Sequence, residues 1–227
     1  MLSQLQMQSS LFFKKLFAPI LYRHIGPGIG PSRLRLYLNA IYDTRAVPGA
    51  VVEIGCNVGG TAMMGRKLLR QISPQRDYYC FDTFAGFVPE QFEQDVRLGN
   101  ELAKKHSFAA NDISLVKKIL KLHKAEEIKL VKGDIMSLNE QLIPDPISFC
   151  FLDVDLYEPT LVALMKIYPR LAPSGMILVD DCSLDKQEGW QARKAYSEFT
   201  QQMGLSERIE FSMGIIVQEG SEIDAAG

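Results

Sequence analysis

The chain alternates between two kinds of segment, and this alternation restricts the folds open to it more than any other feature. Short runs rich in β-branched or aromatic residues stand at 50–55 (AVVEIG), 78–82 (YYCFD), 127–134 (EIKLVKGD), 147–155 (ISFCFLDVD) and 175–181 (GMILVDD). Between them lie stretches with apolar residues at helical spacing, among them 60–72, 159–171 and 189–204. Strands alternating with helices build βαβ units, and so a mostly parallel sheet. The strands are apolar along nearly their whole length, as expected where helices cover both faces of a sheet. Two final runs, RIEFSM (208–213) and GIIVQE (214–219), follow each other too closely for a crossover and are expected to pair antiparallel. The expected fold is α/β: a doubly wound, mostly parallel seven-stranded sheet with an antiparallel C-terminal strand pair.

Two places interrupt the rhythm. The Gly- and Pro-rich stretch HIGPGIGPS (24–32) sets off residues 1–32 as a helical extension from a domain at 33–227, with Ser32 as the expected cap of the next helix. The interval 83–126 holds a crossover helix, expected in NDISLVKKILKLHK, and a further stretch too long for an idle loop. That stretch, about 84–110, is expected to be a lid over a binding site. The N-terminal segment lacks an early positive region, and Lys14 and Lys15 interrupt its apolar run, so it does not read as a secretory signal. It reads as an amphipathic helix packed on the domain or on a second copy, making a homodimer, with disorder or weak membrane contact as the alternatives.

Composition narrows the function. At 227 residues and 47% hydrophobic content the chain suits one compact domain with a sizeable core. A net charge of −2 without a long basic run argues against nucleic acid as a partner. No apolar run reaches the length of a membrane span. The four cysteines, Cys56, Cys80, Cys150 and Cys182, form no CxxC pair, which points to reduced thiols and a cytoplasmic protein.

Ligands of an open parallel sheet bind beyond the carboxyl ends of its strands. There this chain places acid after acid: Glu53 in the first strand, Asp82 after the second, Asp134 after the third, Asp153 and Asp155 after the fourth, Asp180 and Asp181 after the fifth. The first turn, EIGCNVGG, has glycines spaced G-x-x-x-G-G and not the G-x-G-x-x-G of a pyrophosphate site. It suits a nucleoside without phosphates, with Asp82 accepting from ribose hydroxyls and Asp134 from an adenine amino group. S-adenosylmethionine has these features. The candidate donor-binding residues are Glu53, Gly55, Cys56, Asn57, Gly59, Thr61, Asp82, Thr83, Asp134, Ile135 and Asp153. Asp153 and Asp155, two apart, are expected on one face of their strand, next to Asp180 and Asp181. Converging carboxylates repel one another and raise each other's pKa values, and a hard divalent cation such as Mg²⁺ is the natural compensation. Such a cation acidifies a coordinated hydroxyl, and a neighbouring carboxylate takes its proton. Methyl transfer to a weakly acidic alcohol needs this chemistry.

These residues carry a resemblance. VEIGCNVGGTA, FDTFAGF, GDI, FLDVDLYEPT and ILVDD resemble the macrocin O-methyltransferase family, the metal-dependent sugar O-methyltransferases of macrolide and aminocoumarin biosynthesis. The resemblance implies a class I methyltransferase, Rossmann-like fold and S-adenosylmethionine as methyl donor. It implies Mg²⁺ held by Asp153, Asp180 and Asp181, with Asp155 as general base. It also implies an acceptor with two neighbouring hydroxyls, on a sugar or related natural product. The chain departs from the family pattern at Cys56, Asn57 and Val58 in the glycine loop, and at Cys182, where DDC replaces the usual DDY.

Alternatives remain at this stage. A catechol-type O-methyltransferase shares such a sheet and metal site, but tends to carry a lysine where Leu156 stands. The DVD of 153–155 also matches a glycosyltransferase metal motif. A donor-binding protein without catalysis is the third alternative. His106, Tyr157 and Trp190 are further candidates for acceptor contact, and His123, among lysines, is expected to be solvated.

Overall fold

In the computed structural model, which describes residues 4–183 and 190–219, the elements run in the order that the alternation predicts. Helices α1 (Gln4–Leu16), α2 (Ala18–Leu21) and α3 (Pro31–Asp43) precede β1 (Ala50–Ile54), α4 (Gly60–Ile72) and β2 (Tyr78–Asp82). Then come α5 (Pro89–Arg97), α6 (Ile113–Leu122), β3 (Lys129–Lys132), β4 (Ile147–Leu152) and α7 (Tyr157–Ile167). The chain continues through β5 (Leu171–Val179), α8 (Ala192–Gln202), β6 (Ile209–Glu210) and β7 (Met213–Val217). The expected ends of the extension at 1–3 and of the domain at 220–227, and the expected start of the last helix at 189, lie outside the described residues.

The seven strands form one sheet in the order β3-β2-β1-β4-β5-β7-β6. The first five are parallel, and β7 runs antiparallel between β5 and β6. From β1 the chain builds outward to β2 and β3, then returns to place β4 on the other side of β1. The order therefore reverses between β1 and β4, and a crevice opens beyond their carboxyl ends.

Every residue of β1 and β4 is buried, because successive side chains enter opposite layers. Val51, Phe149 and Phe151 pack with Tyr37 of α3, Leu69 of α4 and Val116 of α6. Val52, Cys150 and Leu152 pack with Leu164 of α7 and Phe199 of α8. All four cysteines are buried free thiols. No helix among the described residues is long and apolar enough to cross a membrane.

Helix starts follow local chemistry with one change from expectation. Asp112 caps α6, its carboxylate accepting from the Leu115 amide at 2.8 Å. Ser32 does not cap α3; that helix begins one residue earlier, at Pro31, whose fixed φ and missing N–H suit the first helical position. The extension lies against α6. Lys15 pairs with Asp112, Lys14 Nζ donates to the Ala110 carbonyl at 2.8 Å, and His123 Nε2 donates to the Tyr22 carbonyl at 2.8 Å. His123 is thus half-buried and engaged where solvation was expected.

Candidate active site

At the carboxyl ends of β1 and β4 lies a cavity of about 370 Å³. One side begins with Gly55, whose φ of 87° is left-handed. A Cβ there would run into the Asp153 carbonyl, so only glycine fits between the two strand ends. The loop then turns through Asn57 (φ 48°) to Gly59 (φ 83°), the residue that precedes and caps α4. Asp82, at the tip of β2, pins this turn: one oxygen accepts from the Asn57 amide at 2.8 Å, the other from the Phe84 amide at 2.6 Å. Burial raises the Asp82 pKa, and those amides pull it back. A carboxylate oxygen accepts more than one bond, so Asp82 retains capacity toward the cavity. Asp134 accepts from the Met136 amide at 3.0 Å and from Gln91 of α5 at 2.8 Å.

Of the candidate donor-binding residues, Gly55, Cys56, Asn57, Thr61, Asp82, Thr83, Asp134, Ile135 and Asp153 line the cavity. Glu53 and Gly59 do not. Glu53 is wholly buried beneath the loop. It accepts hydrogen bonds from the Thr61 hydroxyl and the Tyr78 phenol. The Tyr37 oxygen lies 2.7 Å from that of Tyr78 and 3.1 Å from the Thr61 carbonyl. Burial pushes the Glu53 carboxyl up to about 7, although its two hydroxyl partners act against the shift. Glu53 therefore supports the loop from below.

Beside the glycine loop, past the ends of β4 and β5, stand the aspartates. Strand alternation is not what brings them together, because β4 ends at Leu152 and β5 at Val179. Beyond the strands the backbone turns left-handed at Asp155 (φ 63°) and at Asp181 (φ 55°). Such conformations are tolerated by aspartate and cluster at functional sites. The outcome is one carboxylate oxygen each from Asp153, Asp155 and Asp181 within 4.8 Å of one another. Asp180, 3% exposed, instead meets Arg33, whose Nη1 lies 3.0 Å from Asp180 Oδ1 and 3.1 Å from Asp181 Oδ1. Burial, then the Asp180 charge, hold Asp153 well above the usual carboxylate range. Burial and a hydrogen bond with Asp181 do the same for Asp155.

Two further walls close the cavity. Residues 26–29, from the Gly- and Pro-rich break between extension and domain, form one, and the Gly26 carbonyl packs so tightly on Gly60 that a Cβ there would clash. The segment read as a lid forms the other through Gly86, Phe87, Val88, Gln91 and Phe108. It is firmly held. Asp95 of α5, 2% exposed, accepts from the Tyr157 amide at 2.7 Å and so caps α7 from outside that helix. Trp190 lines the cavity beside Phe87, ring centres 5.7 Å apart, with the Lys104 ammonium 4.3 Å from its own ring centre. Tyr157 donates to Glu198, and neither it nor His106 lines the cavity. Arg33, Tyr37 and Asp95 escaped the sequence reading. The i, i+4 spacing of Arg33 and Tyr37 on α3 was the one available signal.

The strand order, the reversal between β1 and β4 and the glycine turn at that point define a class I methyltransferase fold. Solved structures agree. The O-methyltransferase NovP aligns with a TM-score of 0.73 at 20% identity, over 95% of this chain and 98% of that one. The calicheamicin methyltransferase CalS11 aligns at 0.66 and 20%, over 95% and 93%. The chain belongs to the macrocin O-methyltransferase (TylF) family, whose model matches residues 27–213. The 8-demethyl-8-(2,3-dimethoxy-alpha-L-rhamnosyl)-tetracenomycin-C 4'-O-methyltransferase of Streptomyces olivaceus is 26% identical over 186 residues, 80% of this chain and 65% of that protein. The demethyldecarbamoylnovobiocin O-methyltransferase of Streptomyces niveus is 26% identical over 160 residues, 67% of this chain and 61% of that protein. The chain thus spans somewhat under two thirds of the length of these relatives.

Proposed function

We propose that this protein is an S-adenosylmethionine-dependent, Mg²⁺-assisted O-methyltransferase that methylates one of two neighbouring hydroxyls on a sugar or natural-product acceptor. The observation that carries the reading is the placement of Asp153, Asp155 and Asp181 around one point of a cavity that the glycine loop also lines. The relatives named above are O-methyltransferases, one of them named for a rhamnosyl compound.

The residues fit both absent groups. A glycine turn with no room for a Cβ, flanked by Asp82 and Asp134, suits an adenosine carrying no phosphate. An all-oxygen cluster of carboxylates, in which burial and the neighbouring acids raise Asp153 and Asp155, suits a hard divalent cation. Bound there, the donor supplies the methyl group and the cation acidifies an acceptor hydroxyl.

The chain's own residues do the rest. Asp82 holds the glycine loop in shape and would accept from the ribose hydroxyls. Asp134, steadied by Gln91, would accept from the adenine amino group. Asp153, Asp180 and Asp181 would hold the cation, and Asp155 would take the acceptor's proton. Burial and its acidic neighbours raise the proton affinity of Asp155, which makes it a stronger base than an exposed carboxylate. The wall of Phe87, Phe108 and Trp190 offers apolar faces to an acceptor ring and excludes water. Apolar residues left exposed on α1 and α2, among them Phe12, Phe13 and Ile20, support a second copy as the partner of the extension.

The test is methyl transfer from isotopically labelled donor to a panel of diol-bearing glycosides, with Mg²⁺ and with chelator, beside calorimetry with S-adenosylhomocysteine. Micromolar product binding and chelator-sensitive labelling are expected. Labelling that persists in chelator removes the cation from the reading. Absence of product binding by folded protein removes the donor.

A further inference from the structure

One half-buried cation has no part in the chemistry proposed above. Arg33 stands in the first turn of α3, next to the segment that walls the cavity, and its side chain is 22% exposed. A single nitrogen, Nη1, reaches Asp180 and Asp181 together, bridging a stretch before β1 to the end of β5. One helical turn later, on the same face, Tyr37 enters the network beneath the glycine loop. A guanidinium stays protonated at any working pH. The acidic cluster therefore always has the Arg33 charge bonded to it from α3, while Lys104 acts on Asp155 from the segment at 84–110.

We infer that Arg33 is a tethered counter-ion of the acidic cluster: a positioning residue that holds Asp180 and Asp181 before a divalent cation arrives and lowers the site's affinity for that cation. The inference rests on reading the cluster as a cation site. Like charges sharing a carboxylate repel, and the repulsion is screened weakly where both are largely buried. Removing Arg33 leaves more uncompensated negative charge around the cluster, so a cation gains more on binding. The same loss costs the metal-free protein the contact that ties α3 to the end of β5.

The experiment is calorimetric titration of the chelator-treated full chain with Mn²⁺ and with Mg²⁺. Four proteins are compared: wild type, Arg33→Met, Arg33→Gln and Arg33→Lys. Melting with and without Mn²⁺ accompanies each. The neutral variants are expected to bind Mn²⁺ on the order of tenfold more tightly than wild type, and to melt lower in chelator with a larger rise on adding the ion. Arg33→Lys, which keeps the charge, is expected within about twofold of wild type. Unchanged or weaker binding by the neutral variants overturns the inference and leaves the cation reading standing. Binding by the neutral variants but not by wild type supports the inference and removes the cation from the proposed function. Binding by none of the four overturns both. If Arg33→Met fails to fold, Arg33→Gln carries the comparison.

Discussion

The two sides of the cavity both bury carboxylates and neutralise them in opposite ways. Under the glycine loop, Glu53 is surrounded by hydroxyls of its own chain, from Thr61 and Tyr78, with Tyr37 behind them. At the ends of β4 and β5, the neighbours that raise Asp153 and Asp155 are more carboxylates, with Lys104 acting against them at Asp155, and Arg33 bonds to Asp180 and Asp181. A buried acid whose partners are donors is a structural strut. Buried acids whose partners are each other store repulsion that a ligand can relieve. Substitution should therefore act with opposite sign on the two sides.

The largest effect is expected at Asp155. Asp155→Asn should cut turnover on the order of 10²-fold or more, as loss of a general base does. It should also leave the melting temperature in chelator unchanged or higher, because one repelling charge is gone. Single-turnover methyl transfer and a thermal melt read the two together; a marked drop in melting temperature breaks the contrast.

Glu53 comes next, through pH. Its folded pKa of about 7 lies above its ordinary 4.5. The folded state therefore keeps a proton that the unfolded chain releases. The stabilisation is complete below about pH 4.5 and is lost as the pH rises through 7. Glu53→Gln should remove this dependence, a relative change of up to ~3 kcal/mol between the two ends of that window. Denaturant unfolding of both proteins at pH 5 and pH 8 measures it, and parallel pH profiles would sink the assignment.

Tyr78→Phe sharpens the same side. It takes one donor from a buried carboxyl and should cost about 1–3 kcal/mol of stability, the sign opposite to Asp155→Asn. The smallest effect belongs to the wall between the two sides. Asp95→Ala uncaps α7 and should cost about 1 kcal/mol. If its melting curve matches wild type, the segment at 84–110 is not fastened through that residue.

The sheet was legible because β1 and β4 are buried on both faces and so read as unbroken apolar runs. The candidate site was legible because its acids stand where such strands end. The reason for their convergence was not: alternation put Asp153 and Asp155 on one strand face, whereas the strand stops short and left-handed turns at Asp155 and Asp181 do the work. Partners distant in sequence left no periodic trace. Asp95 caps a helix 62 residues away, and Arg33 reaches Asp180 across 147. The Gly- and Pro-rich stretch looked like a divider by composition, yet tight turns without side chains are also what lets backbone press against Gly60 and wall a cavity.

Trp190 is the single tryptophan of the chain, set against Phe87, under the Lys104 ammonium and facing the cavity. Indole emission shifts with the polarity and charge around the ring, so the molecule carries its own optical reporter in the cavity wall. Occupancy of the cavity near that ring can be followed in the unmodified protein, without dye or label.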